Sequence, residues 1–373
     1  MIDAMKKYLT NLFFCLLLIC PGTSSAAGAV DKFQLWNTPG YFKGFNAGYW
    51  SSHDDHEKSI NDILALKATG ANLIKINIYG GTVEWQAPYR EKKEAIRWLH
   101  RMIEMAREAG LYYVIDVRAG PGRMDVSDEH QSTIWTDVEE QKQYAQMLVG
   151  YVRKYGDDPL CVGLNLMVEP NPLWKEIEND VIESPQELKR ALKKREMDIH
   201  GMFDFFIKEV RKVNSTLPLI VQNVQYSDPE WWGLMEKYTD PRIVYDVHSY
   251  VPIEYTHAER PYKTRYPGRY WCRALGKEAL FNRGLLEQVI FKDVKEFQKK
   301  HRVPILLGEF GMEFPQHGGE AYLSDHVGIA KSEGWHFCLW SFRSNNPESR
   351  RHINFDPEKW DEPYWREVLS WFH

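Results

Sequence analysis

Glu169 and Glu309 are the residues whose setting points to chemistry. Each closes an apolar run: CVGLNLMVEP at 161–170 ends on Glu169-Pro170, and PILLGEFG at 304–311 ends around Glu309. Such runs read as buried strands, which puts both carboxylates at strand ends, far apart in sequence. If a fold brings those ends together, the pair suits glycoside hydrolysis. One carboxyl protonates the leaving oxygen and later activates water, while the other attacks the anomeric carbon. The two lie about 5 to 5.5 Å apart in an enzyme that retains configuration. A lone Glu-Pro is an ordinary loop-end ion pair; two glutamates closing strands of one sheet read as catalytic. The acid needs a raised pKa, and the nucleophile must stay ionised.

The elements that must position them follow a strand-helix grammar. Apolar strands are expected over 42–50, 71–80, 111–120, 161–170, 218–224, 243–250, 304–311 and 336–343. Helices are expected over 54–69, 91–109, 137–155, 184–213 and 357–371, the fourth opened by the capping box Ser184-Pro185-Gln186-Glu187. Eight strands alternating with helices predict an α/β fold closed into a (β/α)8 TIM barrel. Surplus chain falls at 171–200 and 251–283, after the fourth and sixth strands, on the face where barrel active sites are built. An open doubly wound sheet is the alternative, but no G-x-G-x-x-G follows the first strand. No linker divides the mature chain, so a single domain over 28–373 is expected.

The ordered motifs VEP (168–170), HSY (248–250), GEFG (308–311) and LWSF (339–342), with DVRAGPG at 116–122, resemble glycoside hydrolase family 5, the cellulase-like family of clan A. The likeness spans nearly the whole mature chain. It implies that Glu169 is the general acid/base and Glu309 the nucleophile. By the same resemblance Tyr250 hydrogen-bonds the nucleophile, His248 lines the site at the cleaved bond, and Trp340 forms the floor under the reacting sugar. It also implies a β-linked glucan or mannan substrate and no cofactor. Three positions depart from the family. Val168 stands where an asparagine donates to the sugar 2-hydroxyl. Lys75 takes the place of the arginine that orients the nucleophile, keeping the charge but losing the planar fork. Arg118 takes the place of a histidine. Asn165 is a substitute donor only if it reaches up from deeper in the barrel.

Composition sets the remaining bounds. The net charge of -5 and the absence of a basic run give no footing for nucleic acid. Met5–Ala29 carries Lys6 and Lys7, the apolar run Leu12–Cys20 and small-residue cleavage sites, which reads as a signal peptide over 1–27 and a secreted or periplasmic protein. No later stretch is long and apolar enough to span a membrane. Cys161, Cys272 and Cys338 remain, an odd number that allows at most one disulfide, and two of them sit in strand-like runs; no disulfide framework is expected. No metal-binding constellation is visible. Tyr79, Trp85, Trp135, Trp174, Trp231, Trp232 and Trp271 follow strands and are candidates for stacking on sugar rings. Arg260, Arg265, Arg269 and Arg273 form either a solvated flap or a reader of acidic glycans. No feature specifies an oligomer, and a monomer is the expectation. The competing class is a secreted carbohydrate-binding protein that kept the cleft and lost catalysis.

Overall fold

A computed structural model describes residues 31–49, 60–125, 131–179, 181–342 and 363–372. The signal peptide expected over 1–27, the start of the helix over 54–69 and the stretch 343–362 lie outside the described residues. Eight parallel strands close a barrel. In chain order they are β1 (Lys43–Tyr49), β2 (Leu73–Ile78), β3 (Tyr112–Val117), β4 (Cys161–Asn165), β5 (Leu219–Gln222), β6 (Ile243–Ser249), β9 (Ile305–Phe310) and β10 (His336–Leu339), with β1 pairing both β2 and β10. The remaining two strands, β7 (Gly268–Cys272) and β8 (Lys277–Phe281), form a separate antiparallel hairpin. The (β/α)8 expectation therefore holds, strand for strand.

Alternation along the strands builds the interior in layers. Leu73, Val114 and Val244 sit at the bottom of β2, β3 and β6, where they join Trp36, Phe42, Val162, Ile220, Leu306 and Cys338 in an apolar plug. Two residues further along the same strands stand Lys75, Asp116 and Asp246, all fully buried. Two further again stand Asn77, Arg118 and His248. The barrel is thus apolar at its base, ionic at mid-height and functional in character at its mouth. A separate, larger apolar core lies between the outer faces of the strands and the surrounding helices.

Two expectations change. The helix predicted over 184–213 is two helices, Pro185–Lys194 and Ile199–Arg211. Glu196 adopts a left-handed φ of 56° between them, and the Asp198 side chain caps the second by accepting from the Gly201 N–H. The 251–283 stretch is not a plain flap, because it contains the β7–β8 hairpin, turned by Gly276 at a φ of 59°. Helical structure near the end covers Pro363–Ser370. The three cysteines are free and buried. Among the described residues no helix is long and apolar enough to cross a membrane.

Candidate active site

The ends of β4 and β9 meet at the mouth. One carboxylate oxygen of Glu169, one of Glu309 and a ring nitrogen of His248 all lie within 4.8 Å of one another. Arg118, reaching from the end of β3, joins the two carboxylates: Nη2 lies 3.2 Å from Glu169 Oε2 and Nη1 lies 3.1 Å from Glu309 Oε1. Its fork is held by Asn77 Oδ1 at 2.9 Å, with Asp125 Oδ1 at 3.6 Å from Nε. The guanidinium also lies over the Tyr79 ring at 4.8 Å and 5.3 Å from the centroid of Trp340. A His-Glu-Glu trio can in principle ligate a cation, but here the guanidinium already supplies the positive charge between the carboxylates.

Glu169 has a strained backbone. Its φ is 52°, left-handed, and the following residue is Pro170. A residue before proline favours extended backbone, so the conformation must be imposed from outside. Two side chains impose it. Gln222, at the end of β5, accepts from the Glu169 N–H at 2.6 Å. Arg123 is wholly buried and donates to the carbonyls of Val168 at 2.6 Å and Glu169 at 3.2 Å. The sequence reading missed both. Gln222 had a signal, since it is a polar residue ending an apolar strand, as Glu169 is; Arg123 had only its place one residue beyond the DVRAGPG run.

His248 is fully hemmed in. Its Nδ1 lies 2.7 Å from Glu169 Oε1 and 3.6 Å from Glu309 Oε2, and its Nε2 lies 3.5 Å from Asp246 Oδ2. The Gln222 amide, oriented by Glu169, donates to Asp246 Oδ2 at 2.8 Å and stands 2.9 Å from His248 Nε2. A neutral ring accepts from Gln222, whereas a charged one turns its Nε2–H to Asp246. Burial opposes the charge on His248, yet Glu309, Asp246 and Glu169 around it outweigh burial and push its pKa up to about 10. Tyr250 donates to Glu309 Oε2 at 3.1 Å, and burial together with the Glu309 charge keeps that phenol protonated.

The two glutamates titrate as one coupled pair, in the order opposite to the one expected. Burial works against the charge on both. On Glu169 the His248 hydrogen bond, followed by the charges of His248 and Arg118, prevails and holds the carboxyl below its ordinary value. On Glu309 burial prevails, the charge of Glu169 adds to it, and the carboxyl is raised. The surroundings thus shift the two carboxyls in opposite directions, Glu169 down and Glu309 up.

Lys75 is not placed as the family pattern implies. Its Nζ pairs with Asp246 Oδ2 at 3.0 Å and Asp116 Oδ2 at 3.2 Å, and donates to the Gly308 carbonyl at 3.3 Å. It lies one layer below the glutamates, and Arg118 makes the direct contact with Glu309. Val168 is fully buried, and its carbonyl is taken by Arg123. Asn165 is buried in the layer of Asp116, its register partner, with neither amide atom hydrogen-bonded, and so does not replace the missing donor. Trp340 is buried and edge-on to Tyr79, with centroids 6.3 Å apart. Of the other aromatics, Trp135, Trp231 and Trp232 are buried packing residues, Trp85 and Trp174 are half-buried, and Trp271 is exposed. Arg260, Arg265 and Arg269 are exposed, and Arg273 lies over the Trp231 ring.

Known proteins are similar to this chain in sequence and in fold. Endoglucanase C of Acetivibrio thermocellus is 23% identical over 299 residues, covering 72% of this chain and 81% of that protein. Cellodextrinase A of Ruminococcus flavefaciens is 21% identical over 230 residues, covering 58% of this chain and 61% of its own. The crystal structure of endoglucanase Cel5A from Thermotoga maritima superposes with a TM-score of 0.64 at 16% identity, covering 92% of this chain and 100% of that one. The pattern defining Cellulase (glycosyl hydrolase family 5) matches residues 33–346. With the closed barrel and the paired glutamates at its mouth, that match makes the chain a member of glycosyl hydrolase family 5, and hence a glycosidase.

Proposed function

We propose that the protein is a secreted, retaining enzyme that cleaves internal or terminal bonds of a β-linked glucan or mannan, with Glu309 as nucleophile and Glu169 as acid/base. The observation that carries the reading is the approach of the two carboxylates to within 4.8 Å of each other's oxygens at the ends of β4 and β9, consistent with the separation of about 5 to 5.5 Å that a covalent route uses. Similar proteins bear the names endoglucanase and cellodextrinase, and one similar structure is described with mannotriose as substrate. Secretion rests on the Met5–Ala29 pattern alone.

In the first step a Glu309 oxygen bonds to the anomeric carbon, the bond to the leaving oxygen breaks, and that oxygen takes a proton from Glu169. In the second step Glu169 takes a proton from water, whose oxygen attacks the anomeric carbon and frees Glu309. The acid role requires Glu169 to carry a proton when substrate is bound, whereas the resting contacts hold its pKa below the ordinary value. Tyr250 assists, because it donates to Glu309 and not to Glu169 and so stabilises the charged form of the nucleophile. His248 assists from the other side: a glycosidic oxygen that displaces its Nδ1 from Glu169 removes the contact that keeps Glu169 ionised.

The test is hydrolysis by the wild type and by Glu169→Gln and Glu309→Gln on a panel of β-glucans and mannans. Each variant is expected to lose activity by at least on the order of 100- to 10,000-fold. Wild-type-like release of reducing sugar by either variant would overturn the assignment. Tight oligosaccharide binding by calorimetry, with no cleavage of any glycan, would return the reading to a binding protein.

A further inference from the structure

The stretch between β6 and the helix Lys292–His301 does more than lengthen a loop. It begins beside Tyr250, which donates to Glu309, and is then stitched across the C-terminal face of the barrel. On one side it joins the loop after β9: Thr264 N and Oγ1 donate to Gln316 Oε1, each at 3.0 Å, the Tyr266 N–H donates to the His317 carbonyl at 2.8 Å, and Arg265 forms a β-bridge with His317. On the other side it joins the loops after β4 and β5. Arg273 Nη1 donates to the Glu183 carbonyl at 3.0 Å, its guanidinium covers the Trp231 ring, and the Ala274 N–H donates to Glu230 Oε1 at 2.9 Å. The β7–β8 hairpin is therefore fixed across the rim, its base beside the loop after β9 and its tip against the loops after β4 and β5.

Its two faces differ in kind. The register pairs Arg269 with Leu280 and Trp271 with Glu278, so alternation puts these four side chains on one face. The opposite face carries Cys272 and Phe281, both buried, with half-buried Tyr270. On the outer face Trp271 is 53% exposed and Leu280 46%. A two-stranded ribbon does not keep an exposed indole for its own folding, since its inner face already packs on the barrel. The indole is flanked by a guanidinium and a carboxylate, a donor and an acceptor beside a flat apolar ring. That combination matches a pyranose, with its apolar face and rim of hydroxyls.

We propose that the outer face of the β7–β8 hairpin, centred on Trp271 with Arg269 and Glu278, is a binding site for the polysaccharide chain on the leaving-group side of the cleaved bond. This rests on the glycan-cleaving reading above and adds where a long substrate is gripped and why polymer would be preferred to short oligosaccharides. The tip of the hairpin packs on the loop that follows the acid's strand, the side from which the leaving chain departs, so its grip acts on substrates long enough to reach the rim.

Trp271→Ala and Arg269→Ala are compared with the wild type, circular dichroism and thermal unfolding serving as fold controls. The measurements are retention by glucomannan and carboxymethylcellulose in affinity electrophoresis, and kcat and KM on those polymers and on p-nitrophenyl β-cellobioside. Trp271→Ala is expected to weaken polymer retention and raise polymer KM by about three- to tenfold, the effect of losing one stacked ring. Constants on the aryl cellobioside should stay within about twofold. Equal retention and KM on polymer, with the wild type active, overturn the hairpin site and leave the hydrolase reading standing. Retention that depends on Trp271 in a wild type that cleaves nothing supports the hairpin site and overturns the hydrolase reading. A wild type that neither binds nor cleaves either polymer overturns both. An oligomer by sedimentation that Trp271→Ala dissociates, without a change in glycan retention, overturns the site in favour of self-association.

Discussion

At the scale of single residues, the site is a small set of charges whose positions are more informative than their identities. Arg118 is the pivot. It contacts both carboxylates directly, whereas Lys75, the cation on the strand where the family keeps its arginine, faces Asp116 and Asp246 below. The orienting cation has in effect moved from β2 to β3. Arg118→Lys keeps the charge but cannot bridge two carboxylates with a planar fork. We expect kcat to fall on the order of 100-fold through misplacement of the pair, with a smaller change in KM; kcat within about twofold of wild type would show that the bridge is dispensable. Gln222→Met removes the acceptor from the Glu169 N–H and the donor to Asp246. It is expected to relax the left-handed backbone at Glu169 and lower kcat while leaving a folded barrel, checked by steady-state kinetics beside circular dichroism.

At the scale of elements, the strands work as ladders with a fixed order of chemistry: apolar at the base, ionic in the middle, reactive at the end. The middle rung depends on the absence of a side chain on β9. A Cβ built on Gly308 would meet Asp246 Oδ1 at 1.9 Å, so only glycine there lets Asp246 face Lys75 and His248. Gly308→Ala is expected to displace that carboxylate and cost about 1–3 kcal/mol, the usual range for overpacking a core, read from urea denaturation. Lys75→Met is expected to cost more, about 3–5 kcal/mol, because it strands two buried carboxylates without their cation. Adding Asp116→Asn to that variant should recover part of the loss. No recovery would show that charge on Asp116 is not what causes the loss; burial already raises its pKa against the pull of Lys75.

For the whole molecule, the buried charges make stability depend on pH. His248 titrates near 6.5 when unfolded and about 10 when folded. A folded pKa raised in this way contributes stability that is complete below the unfolded value and is lost as pH rises through the folded one. The wild type is therefore expected to lose thermal stability across the window from about 6.5 to about 10. His248→Asn should flatten that slope, measured by thermal unfolding at a series of pH values. An unchanged slope in the variant would assign the dependence to other groups. The same charges bear on activity, since loss of the His248 proton removes a positive charge beside both glutamates.

The local pattern was enough for the eight strands, because an apolar run bounded by turn residues is visible without knowing what it pairs with. It was also enough for Glu169 and Glu309, each a carboxylate ending such a run; His248 and Tyr250 came from the family resemblance, and the structure brings all four together. Other features have no local signature. The split of the 184–213 helix depends on one Asp198 cap, and Trp135, Trp231 and Trp232 look like cleft residues until neighbouring elements cover them. Lys75 pairs with Asp246 across 171 positions of sequence and Arg118 with Glu309 across 191. Which cation meets which carboxylate is settled by the tilt and register of a closed barrel. The direction in which each glutamate titrates follows from those same contacts. Sequence determined which strands end in reactive groups. Only closure of the sheet decided which of those groups touch, and contact sets their charge.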